Sequence, residues 1–378
     1  MQELEEIQNS FAKEELKPEI KMDRRKMIFS RFKRRFLKHV WIIRSGIILT
    51  VILVFFLALL LIKSLIIKSG TDFYFGLARD FIFTPGDKIE SINNRTNILI
   101  LGKGDVAHEA PDLTDTMIFV SVSHLNSSIN LISLPRDIWI PELRTKLNSV
   151  YYWGNKKQDG GGMILAKSTV EEIVGLPVHY ALVIDFSGFK EIIDVLGGIE
   201  VDVERSFTDE KYPIPGKEDD KCDGDPDYKC RYETVHFAQG NQVMGGETAL
   251  KFVRSRNAEG DEGTDFARQA RQQKVITAIK EKVLSKEILF SPKKLKALKD
   301  AVLESTQTDI PPSASAILAR RALQSKDHMK SAILSETLLI NPPKSPKYDN
   351  LYVFIPKDNS WDEIHQWTKC TLSGGKCD

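Results

Sequence analysis

The chain has 378 residues, of which 42% are hydrophobic and 28% are charged, with 23 Gly and 16 Pro. This composition excludes collagen-like, disulfide-scaffold and wholly disordered proteins, and the length predicts two or three domains at most. The 53 Lys and Arg nearly balance the 52 Asp and Glu, so the chain as a whole is not a polycation built for nucleic acid. The charge is unevenly distributed, because residues 1–44 carry 12 basic and 7 acidic side chains. A basic head on a slightly acidic body indicates that the two parts occupy different environments.

An uncharged run, SGIILTVILVFFLALLLI, follows the head at residues 45–62. As a helix it would be roughly 27 Å long, which matches the hydrocarbon core of a bilayer. Buried core helices are seldom so long and so uniformly apolar. A cleaved signal peptide is disfavoured because the n-region is long and no small-x-small cleavage site follows. We predict one uncleaved transmembrane anchor over residues 45–67, preceded by a head at 1–44 and followed by a linker at 68–95.

The charges that flank this anchor predict its orientation. Basic residues crowd on its N-terminal side, whereas the few on its C-terminal side are offset by Asp72 and Asp80. The positive-inside rule then places the N-terminus in the cytoplasm and the remainder of the chain outside the membrane. The basic residues before the anchor include Arg24, Arg25, Lys33, Arg34, Arg35, Lys38 and Arg44.

The four cysteines agree with an exported body. Cys222 and Cys230 flank a polar loop, and Cys370 and Cys377 flank a glycine-containing tail. Two local disulfides are plausible from this arrangement. Zinc binding is disfavoured, because the spacings differ from those of zinc knuckles and the nearest histidines are single.

The exported part shows strands alternating with helices, which predicts an α/β domain with a sheet covered on both faces. We predict this domain over residues 96–290, with an exposed acidic, cysteine-containing insertion at 209–233 and a C-terminal extension at 291–378. The predicted strands are 97–101, 117–123, 129–133, 180–184, 199–203 and 351–355. The predicted helices are 163–174, 189–196, 246–254, 265–284, 293–303 and 314–323.

Charged residues gather where the first predicted strands begin or end. Asp105 follows the first strand, Asp115 precedes the second, and Arg136 follows the third within SLPRD. Groups outside the carboxyl ends of strands line the ligand crevice of an open α/β sheet. Any one of these residues alone would be an ordinary loop charge, but three together indicate a site.

The long helix that begins at Asp265 carries charge in line with its buried face. Asp265, Arg268 and Gln272 continue the apolar stripe of the helix toward its N-terminus. Buried charges need partners or ligands, so either an internal Asp265–Arg268 salt bridge or a polar pocket explains them. We favour the pocket, because Arg254 and Arg256 lie just upstream and add positive charge. The apolar stripe consists of Ile276, Ile279 and Val283.

Arginines and aspartates in these numbers fit a pyrophosphate and a divalent cation. The arginine guanidinium is a planar fork of donors that matches phosphate oxygens. Aspartate supplies the hard oxygen ligands that Mg²⁺ or Mn²⁺ shares with substrate phosphates. Such a site stabilises charge at phosphorus and positions an attacking hydroxyl.

Seven blocks in fixed order across residues 97–284 resemble the LytR-CpsA-Psr family of bacterial envelope enzymes. The blocks are NILILGKGD, DLTDTMIFVSV, INLISLPRDIWI, KLNSVYYWG, FSGFKEIIDVLGGIEVDV, VHFAQGNQVMGGETALKFVRSR and DFARQARQQKVI. The resemblance implies a three-layer α/β/α domain and a phosphotransferase. It would move a glycopolymer from a polyprenyl-pyrophosphate carrier to peptidoglycan, using Mg²⁺ and a hydrophobic pocket for the lipid.

The same resemblance assigns roles to individual residues. Asp105 and Asp115 are the expected metal ligands and catalytic carboxylates, one of them serving as the base. The arginines are the expected pyrophosphate ligands, and Arg136 and Arg256 are also expected to be catalytic. Lys167 is an expected contact of the phosphate region, and Asp265 and Gln272 are expected partners on the helix. The four arginines are Arg136, Arg254, Arg256 and Arg268.

Two other functions stay open at this point. Water could replace the peptidoglycan hydroxyl as acceptor, which would make the protein a polyprenyl-pyrophosphate hydrolase. Alternatively, the arginine pocket could only hold a lipid-linked ligand, as part of a membrane-tethered binding or regulatory module. The identity of the glycan is not encoded in any of these motifs.

Overall fold

The computed structural model describes residues 33, 42, 44–61, 79, 81–104, 112–325, 328–334, 336–375 and 377. The chain divides into two compact units, Met1–Phe75 and Gly76–Asp378. In the first unit, helix α1 (Arg44–Leu61) is long and apolar enough to cross a bilayer. Residues 62–67 of the predicted anchor, most of the predicted head and residues 68–78 and 80 of the predicted linker lie outside the described residues.

The second unit is built on a mixed sheet, which confirms the predicted α/β class. The sheet has six strands in the order β11-β6-β1-β2-β3-β12. The pairs β1–β6 and β3–β12 are parallel, and the other neighbours are antiparallel. The strands of the described part are β1 (Arg95–Lys103), β2 (Thr114–Ser123), β3 (Ile129–Ser133), β4 (Trp139–Ile140), β5 (Thr145–Lys146), β6 (Tyr180–Asp185), β7 (Ile199–Val203), β8 (Phe207–Pro213), β9 (Tyr232–Phe237), β10 (Gly240–Met244), β11 (Thr306–Thr308), β12 (Met329–Ile333), β13 (Leu339–Ile340) and β14 (Ile355–Pro356).

Helices follow most of these strands, close to the positions that the periodicity predicts. The helix predicted at 265–284 is the longest of the second unit that the structure describes. After α1, the helices are α2 (Val150–Lys157), α3 (Gly161–Val174), α4 (Phe186–Val195), α5 (Gly246–Arg254), α6 (Asp265–Val283), α7 (Lys286–Leu289), α8 (Pro292–Ser305), α9 (Pro312–Gln324) and α10 (Asp362–Ser373).

Alternation along β1 sends its side chains to two separate hydrophobic clusters. Leu99 and Leu101 belong to a buried cluster that includes Val170 of α3. Ile98 belongs to a second cluster with Ile317 of α9, and Ile100 packs against that same cluster. Apolar residues of this strand are therefore covered by helices on both sides, and the side of Ile100 is the one that carries the site described below.

Three predicted segments differ from the structure. Residues 199–203 form β7, but β7 pairs with β10 in a separate two-stranded sheet and is only half buried, since its acidic residues alternate with aliphatic ones. The predicted insertion 209–233 begins and ends within the β8–β9 hairpin, and Asp209 is fully buried rather than exposed. Of the strand predicted at 351–355, only its last residue falls within β14.

The segment after Ser291 completes the central sheet. Its strands β11 and β12 form the two edges, pairing with β6 and β3. Both strands are short, and neither TQT nor MKSAI has the hydrophobic alternation by which a strand is recognised from sequence.

The disulfides are the two local ones that the cysteine positions suggest. Cys222 is bonded to Cys230 and Cys370 to Cys377, with Cα–Cα distances of 5.5 and 5.8 Å. The first closes the loop between β8 and β9, and the second joins α10 to the residues that follow it.

Candidate functional site

A cavity of ≈ 620 Å³ lies against the sheet on the side of Ile100. Its walls are mostly apolar and come from β1, β2, β6, α4, α5, α6 and α8. Polar and charged side chains gather at one end, beside the start of α6. The apolar lining includes Ile100, Ile118, Leu182, Phe189, Leu250, Ile276, Ile279, Leu298 and Val302.

An ion pair lies at the polar end, between Asp115 near the start of β2 and Arg136 in the loop after β3. Arg136 Nη1 donates a hydrogen bond of 2.7 Å to Asp115 Oδ1. The Arg136 side chain is 16% exposed, and its Nε lies 3.4 Å from Asp137 Oδ2. The pair forms because β2 begins beside the loop that follows its neighbour β3, so residues far apart in sequence meet at one edge.

The charges around Asp115 keep its carboxyl group ionised. Burial by itself raises the pKa of this group, but the guanidinium groups of Arg136, Arg268 and Arg256 outweigh burial and lower the pKa below 3.8. Asp115 is therefore a carboxylate at neutral pH, able to accept hydrogen bonds or to bind a cation.

We expect the stabilising effect of Asp115 to disappear only in acid. Because its folded-state pKa is lowered, its contribution to the free energy of unfolding is complete above the unfolded-state pKa of about 3.9. The contribution is lost as the pH falls through the lower folded-state pKa. Urea unfolding of the wild type and of Asp115→Asn should therefore differ by a constant amount from about pH 5 to 8 and converge below about pH 4. A difference that persists unchanged in acid would contradict this assignment.

Arg268 is buried at the cavity wall with an incomplete set of partners. It is 5% exposed, and its Nη2 lies 3.0 Å from Asp265 Oδ1. Its Nε has no hydrogen-bond partner among the described residues. Burial lowers its pKa, and the nearby charges of Arg136 and Arg256 act in the same direction against the opposing effect of Asp265. A guanidinium in this state is ready to bind an anion, because an arginine remains charged and an unsatisfied buried donor is costly.

The stripe predicted on the long helix faces the cavity. Thr264 caps α6, its hydroxyl accepting a hydrogen bond from Ala267 N, and Asp265 stands in the first turn. Arg268 and Gln272 line the polar end of the cavity. The salt bridge and the pocket that the sequence offered as alternatives are thus both present. The apolar continuation of the stripe consists of Val275, Ile276, Ile279 and Val283.

Arg254 and Arg256 reach the same end from the C-terminus of α5. The Arg254 guanidinium lies 4.2 Å from the centroid of the Phe186 ring, and its Nη1 donates to Tyr212 Oη at 3.4 Å. Burial raises the pKa of Tyr212 to about 12, so its phenol stays neutral. Arg256 is exposed and also lines the cavity.

Residues 254–257, which carry these arginines and which we call the arginine loop, are fixed by two buried charged residues, Asp209 and Arg271. Asp209 Oδ2 accepts hydrogen bonds from Ser255 Oγ at 2.7 Å, Arg256 N at 3.0 Å and Asn257 N at 3.2 Å. On the other side, Arg271 donates to the carbonyl oxygens of Phe252, at 3.0 Å, and Ser255. The loop has little freedom to move, because both its N–H groups and its carbonyl groups are held.

The structure brings together most, though not all, of the predicted site residues. Asp105 lies outside the described residues, so its place is not established. Lys167 lies elsewhere, with its Nζ 2.6 Å from Asp309 Oδ2 and donating to His179 O at 3.3 Å. Lys167 stands on α3, which packs against the opposite face of the sheet from the cavity, so its role at phosphate is a prediction without geometric support. The residues gathered at or beside the polar end are Asp115, Arg136, Arg254, Arg256, Asp265, Arg268 and Gln272.

Four contributors to the site were not predicted. Asp209 and Arg271 hold the arginine loop, and Phe186 and Tyr212 hold Arg254. The repeated ARQARQ pattern on α6 could have indicated a second buried arginine. Nothing local distinguishes Asp209, since Ser255, Arg256 and Asn257, which it holds, lie more than 40 residues away along the chain.

The arrangement is suited to one kind of ligand. Four guanidinium groups gather at or beside the polar end, and these planar forks of donors suit a multiply charged anion. The apolar walls beyond them exclude water and suit a hydrocarbon chain. An amphiphile with an anionic head and a long apolar tail matches both ends.

Known proteins share this sequence pattern and this fold. The LytR_cpsA_psr family profile matches residues 83–369. The polyisoprenyl-teichoic acid–peptidoglycan teichoic acid transferase TagV of Bacillus subtilis is 24% identical over 333 residues, 84% of this chain and 76% of that protein. The corresponding transferase TagU of Bacillus cereus is 28% identical over 187 residues, 48% of this chain and 51% of that protein. The chain therefore spans about half the length of the TagU relatives that it matches.

Solved structures of related proteins share the fold of this chain. The crystal structure of Bacillus subtilis TagV matches 75% of this chain and 99% of its own, with a TM-score of 0.52 at 24% identity. That likeness establishes a shared fold. The family profile extends from before β1 into α10 and covers well over half of the sequence. This chain belongs to the LytR_cpsA_psr family.

Proposed function

We propose that this protein is a membrane-anchored phosphotransferase that moves a glycopolymer from a polyprenyl-pyrophosphate carrier to peptidoglycan. The observation that carries the proposal is the cavity, whose arginine-rich end continues into a long apolar space. Relatives named as polyisoprenyl-teichoic acid–peptidoglycan teichoic acid transferases support it. The donor's pyrophosphate would bind Arg136, Arg254, Arg256 and Arg268, and its lipid would lie along α6.

The proposed reaction is a displacement at phosphorus. A peptidoglycan hydroxyl attacks the phosphorus that bears the glycan, a new oxygen–phosphorus bond forms, and the pyrophosphate bridge breaks. Polyprenyl phosphate leaves with the bonding electrons, and the arginines stabilise the charge that develops. The hydroxyl proton passes to a carboxylate, Asp105 or Asp115. The lowered pKa of Asp115 makes it a weak base, which favours Asp105 for that step.

We propose Mg²⁺, or Mn²⁺, as the cofactor. An ionised Asp115 supplies a hard oxygen ligand, which fits a cation held jointly with phosphate oxygens, and Asp105 is the second proposed ligand. The cation would neutralise charge on the pyrophosphate. Asp265 is a further described carboxylate beside this end, and its contact with Arg268 suits it to orient that guanidinium.

For localisation, we propose a single-pass membrane protein with a cytoplasmic N-terminus and an extracytoplasmic catalytic domain. The apolar helix α1 and the 12 basic residues among positions 1–44 support this topology. The disulfides Cys222–Cys230 and Cys370–Cys377 support an oxidising compartment for the second unit.

We also propose that the catalytic domain is a three-layer α/β/α arrangement over residues 96–290. The hydrophobic clusters on the two sides of β1 support the layers, because α3 contributes to one and Ile276 of α6 packs against the other. In this proposal the extension 291–378 supplies the sheet edges and the α8 wall of the cavity.

A reconstituted transfer reaction tests the function. The full chain in vesicles would be given a polyprenyl-pyrophosphate-linked glycan, peptidoglycan fragments and Mg²⁺. We expect a glycan phosphate attached to peptidoglycan, and loss of that product with EDTA, because the pyrophosphate charge is no longer neutralised. Asp115→Asn should require a higher Mg²⁺ concentration.

Product analysis decides between the alternatives. Free glycan phosphate in place of the attached product would indicate hydrolysis. Tight donor binding without any turnover would indicate a binding module. An Mg²⁺ response of Asp115→Asn equal to that of the wild type would remove Asp115 from the metal site.

A further inference from the structure

The cavity changes character along α6. Arg268 lies at its polar end and Val283 at the C-terminal end of the same helix, and both residues line the cavity. Fifteen residues of helix separate them, which is about 22 Å. Beyond Gln272 the residues of α6 that line the cavity are apolar, so the end of the cavity near Val283 is where a hydrocarbon tail would leave.

The segment directly after Val283 forms the surface at this end. Helix α8 turns Leu298 and Val302 toward the cavity, and its outer side carries Lys296, Lys299 and Leu303, which share one face because they are three and four residues apart. Between α7 and α8, the Phe290 side chain is 80% exposed. A wall of the cavity thus presents apolar residues inward and a mixture of lysine and large apolar residues outward.

This outer side is basic. Residues 282–299 contain six lysines and one acidic residue, Glu287, and Glu281 directly precedes them. Glu287 pairs with Lys282 at 2.7 Å and with Lys294. The acidic residues of α8, Asp300 and Glu304, come after this stretch. We call the exposed residues of the segment the lysine face: Lys286, Lys293, Lys296 and Lys299 with Leu289, Phe290 and Leu303.

We propose that the lysine face docks on the anionic surface of the bilayer and opens the apolar end of the cavity toward the acyl chains. The lysines complement anionic headgroups, and exposed Phe290 and Leu289 suit the headgroup boundary. A lipid tail could then pass from the bilayer into the cavity without crossing water, while its pyrophosphate reaches the arginines. This inference rests on the proposed function for the identity of the lipid, but the docking itself is tested separately.

The docking test uses the full chain in vesicles of phosphatidylcholine, with or without phosphatidylglycerol. Phe290→Cys is labelled with an environment-sensitive dye, and Val243→Cys, at a position 77% exposed on β10 that does not belong to the lysine face, is the matched control. We expect a blue shift at position 290 with phosphatidylglycerol only, and none at position 243. Equal shifts at both positions, or no shift at 290, would overturn the proposal.

Charge removal supplies the second measurement. Lys286→Gln, Lys293→Gln and Lys296→Gln combined should lower the docking equilibrium constant about 100-fold and abolish the shift. The control variant removes the same charge from exposed positions outside the lysine face and should preserve the blue shift. It combines Lys344→Gln, Lys357→Gln and Lys369→Gln. A shift that survives the first triple variant, or one that appears only when an acidic polypeptide is added, contradicts docking on lipid. Because the dye reports docking without turnover, an absent transfer reaction counts against the proposed function alone.

Discussion

Arg268→Met is expected to lower glycan transfer by about 10²- to 10³-fold while leaving the protein as stable as the wild type, or about 1 kcal/mol more stable. Arg268 is a buried cation at the cavity wall whose Nε lacks a partner among the described residues. Methionine fills a similar volume without the desolvation cost of a charge. Its partner Asp265 is 36% exposed at the start of a helix, so that carboxylate stays hydrated and interacts favourably with the helix dipole.

Arg271 is the matched control for this substitution. It lies one turn further along α6 and is 3% exposed, but its guanidinium is bonded on several sides, including 2.9 Å to Glu262 Oε2. Arg271→Met should cost about 3–5 kcal/mol of unfolding free energy, because it leaves buried carbonyl groups and a carboxylate without a donor. Urea unfolding and transfer rates, measured on both variants, test the contrast. Comparable destabilisation by the two substitutions would mean that Arg268 is a structural residue.

Asp209→Asn is expected to lower the unfolding free energy by about 2–3 kcal/mol and transfer by up to about 100-fold. In the wild type, Asp209 Oδ2 accepts three hydrogen bonds from the arginine loop, and Oδ1 accepts one from Lys211 N at 3.0 Å. An asparagine has only one oxygen, so its amide must face at least one N–H donor. In either orientation the carboxylate's charge is lost and the amide N–H groups oppose a backbone N–H, so the hydrogen bonds that hold Arg254 and Arg256 toward the cavity are weakened.

A binding measurement separates positioning from stability. At a temperature where both proteins are folded, we expect Asp209→Asn to bind inorganic pyrophosphate more weakly than the wild type. Asp261→Asn serves as the control, because Asp261 is 85% exposed in its surface pair with Arg205 and should change neither quantity measurably. If Asp209→Asn is destabilised but binds pyrophosphate as tightly as the wild type, Asp209 contributes to folding and not to positioning.

Sequence patterns within single helices and strands were sufficient to predict much of the secondary structure. The periodicity of residues 265–284 predicted α6 and the face that it buries, because residues three and four apart share one side of a helix. The apolar runs predicted β1, β2, β3 and β6 to within a few residues. Residues 199–203 were correctly predicted as a strand but not as a buried one. Their acidic residues alternate with aliphatic ones, and the strand pairs with β10 in a small separate sheet.

In the candidate site too, residues could be predicted from local patterns but their contacts could not. Asp115, Arg136, Arg256 and Arg268 could be selected from sequence because each lies at the end of a recognisable strand or helix. Their partners could not, because the Asp115–Arg136 bond spans 21 residues and the Asp209–Ser255 bond spans 46. The role of Lys167, which only the family resemblance implied, stays a prediction, since α3 packs on the face of the sheet away from the cavity and Lys167 pairs there with Asp309.

Local sequence patterns were enough to predict the apolar helix near the N-terminus, the α/β class and the charged stripe of α6. These follow from composition and from periods of two or 3.6 residues, which operate over short stretches of chain. The three-dimensional structure was needed to pair the four cysteines and to find that residues after Ser291 supply both sheet edges and a cavity wall. It was also needed to find that Arg268 lacks a full set of partners, whereas Arg271 has them. Strand order and helix packing bring distant residues together, and no local pattern encodes which side chains will meet.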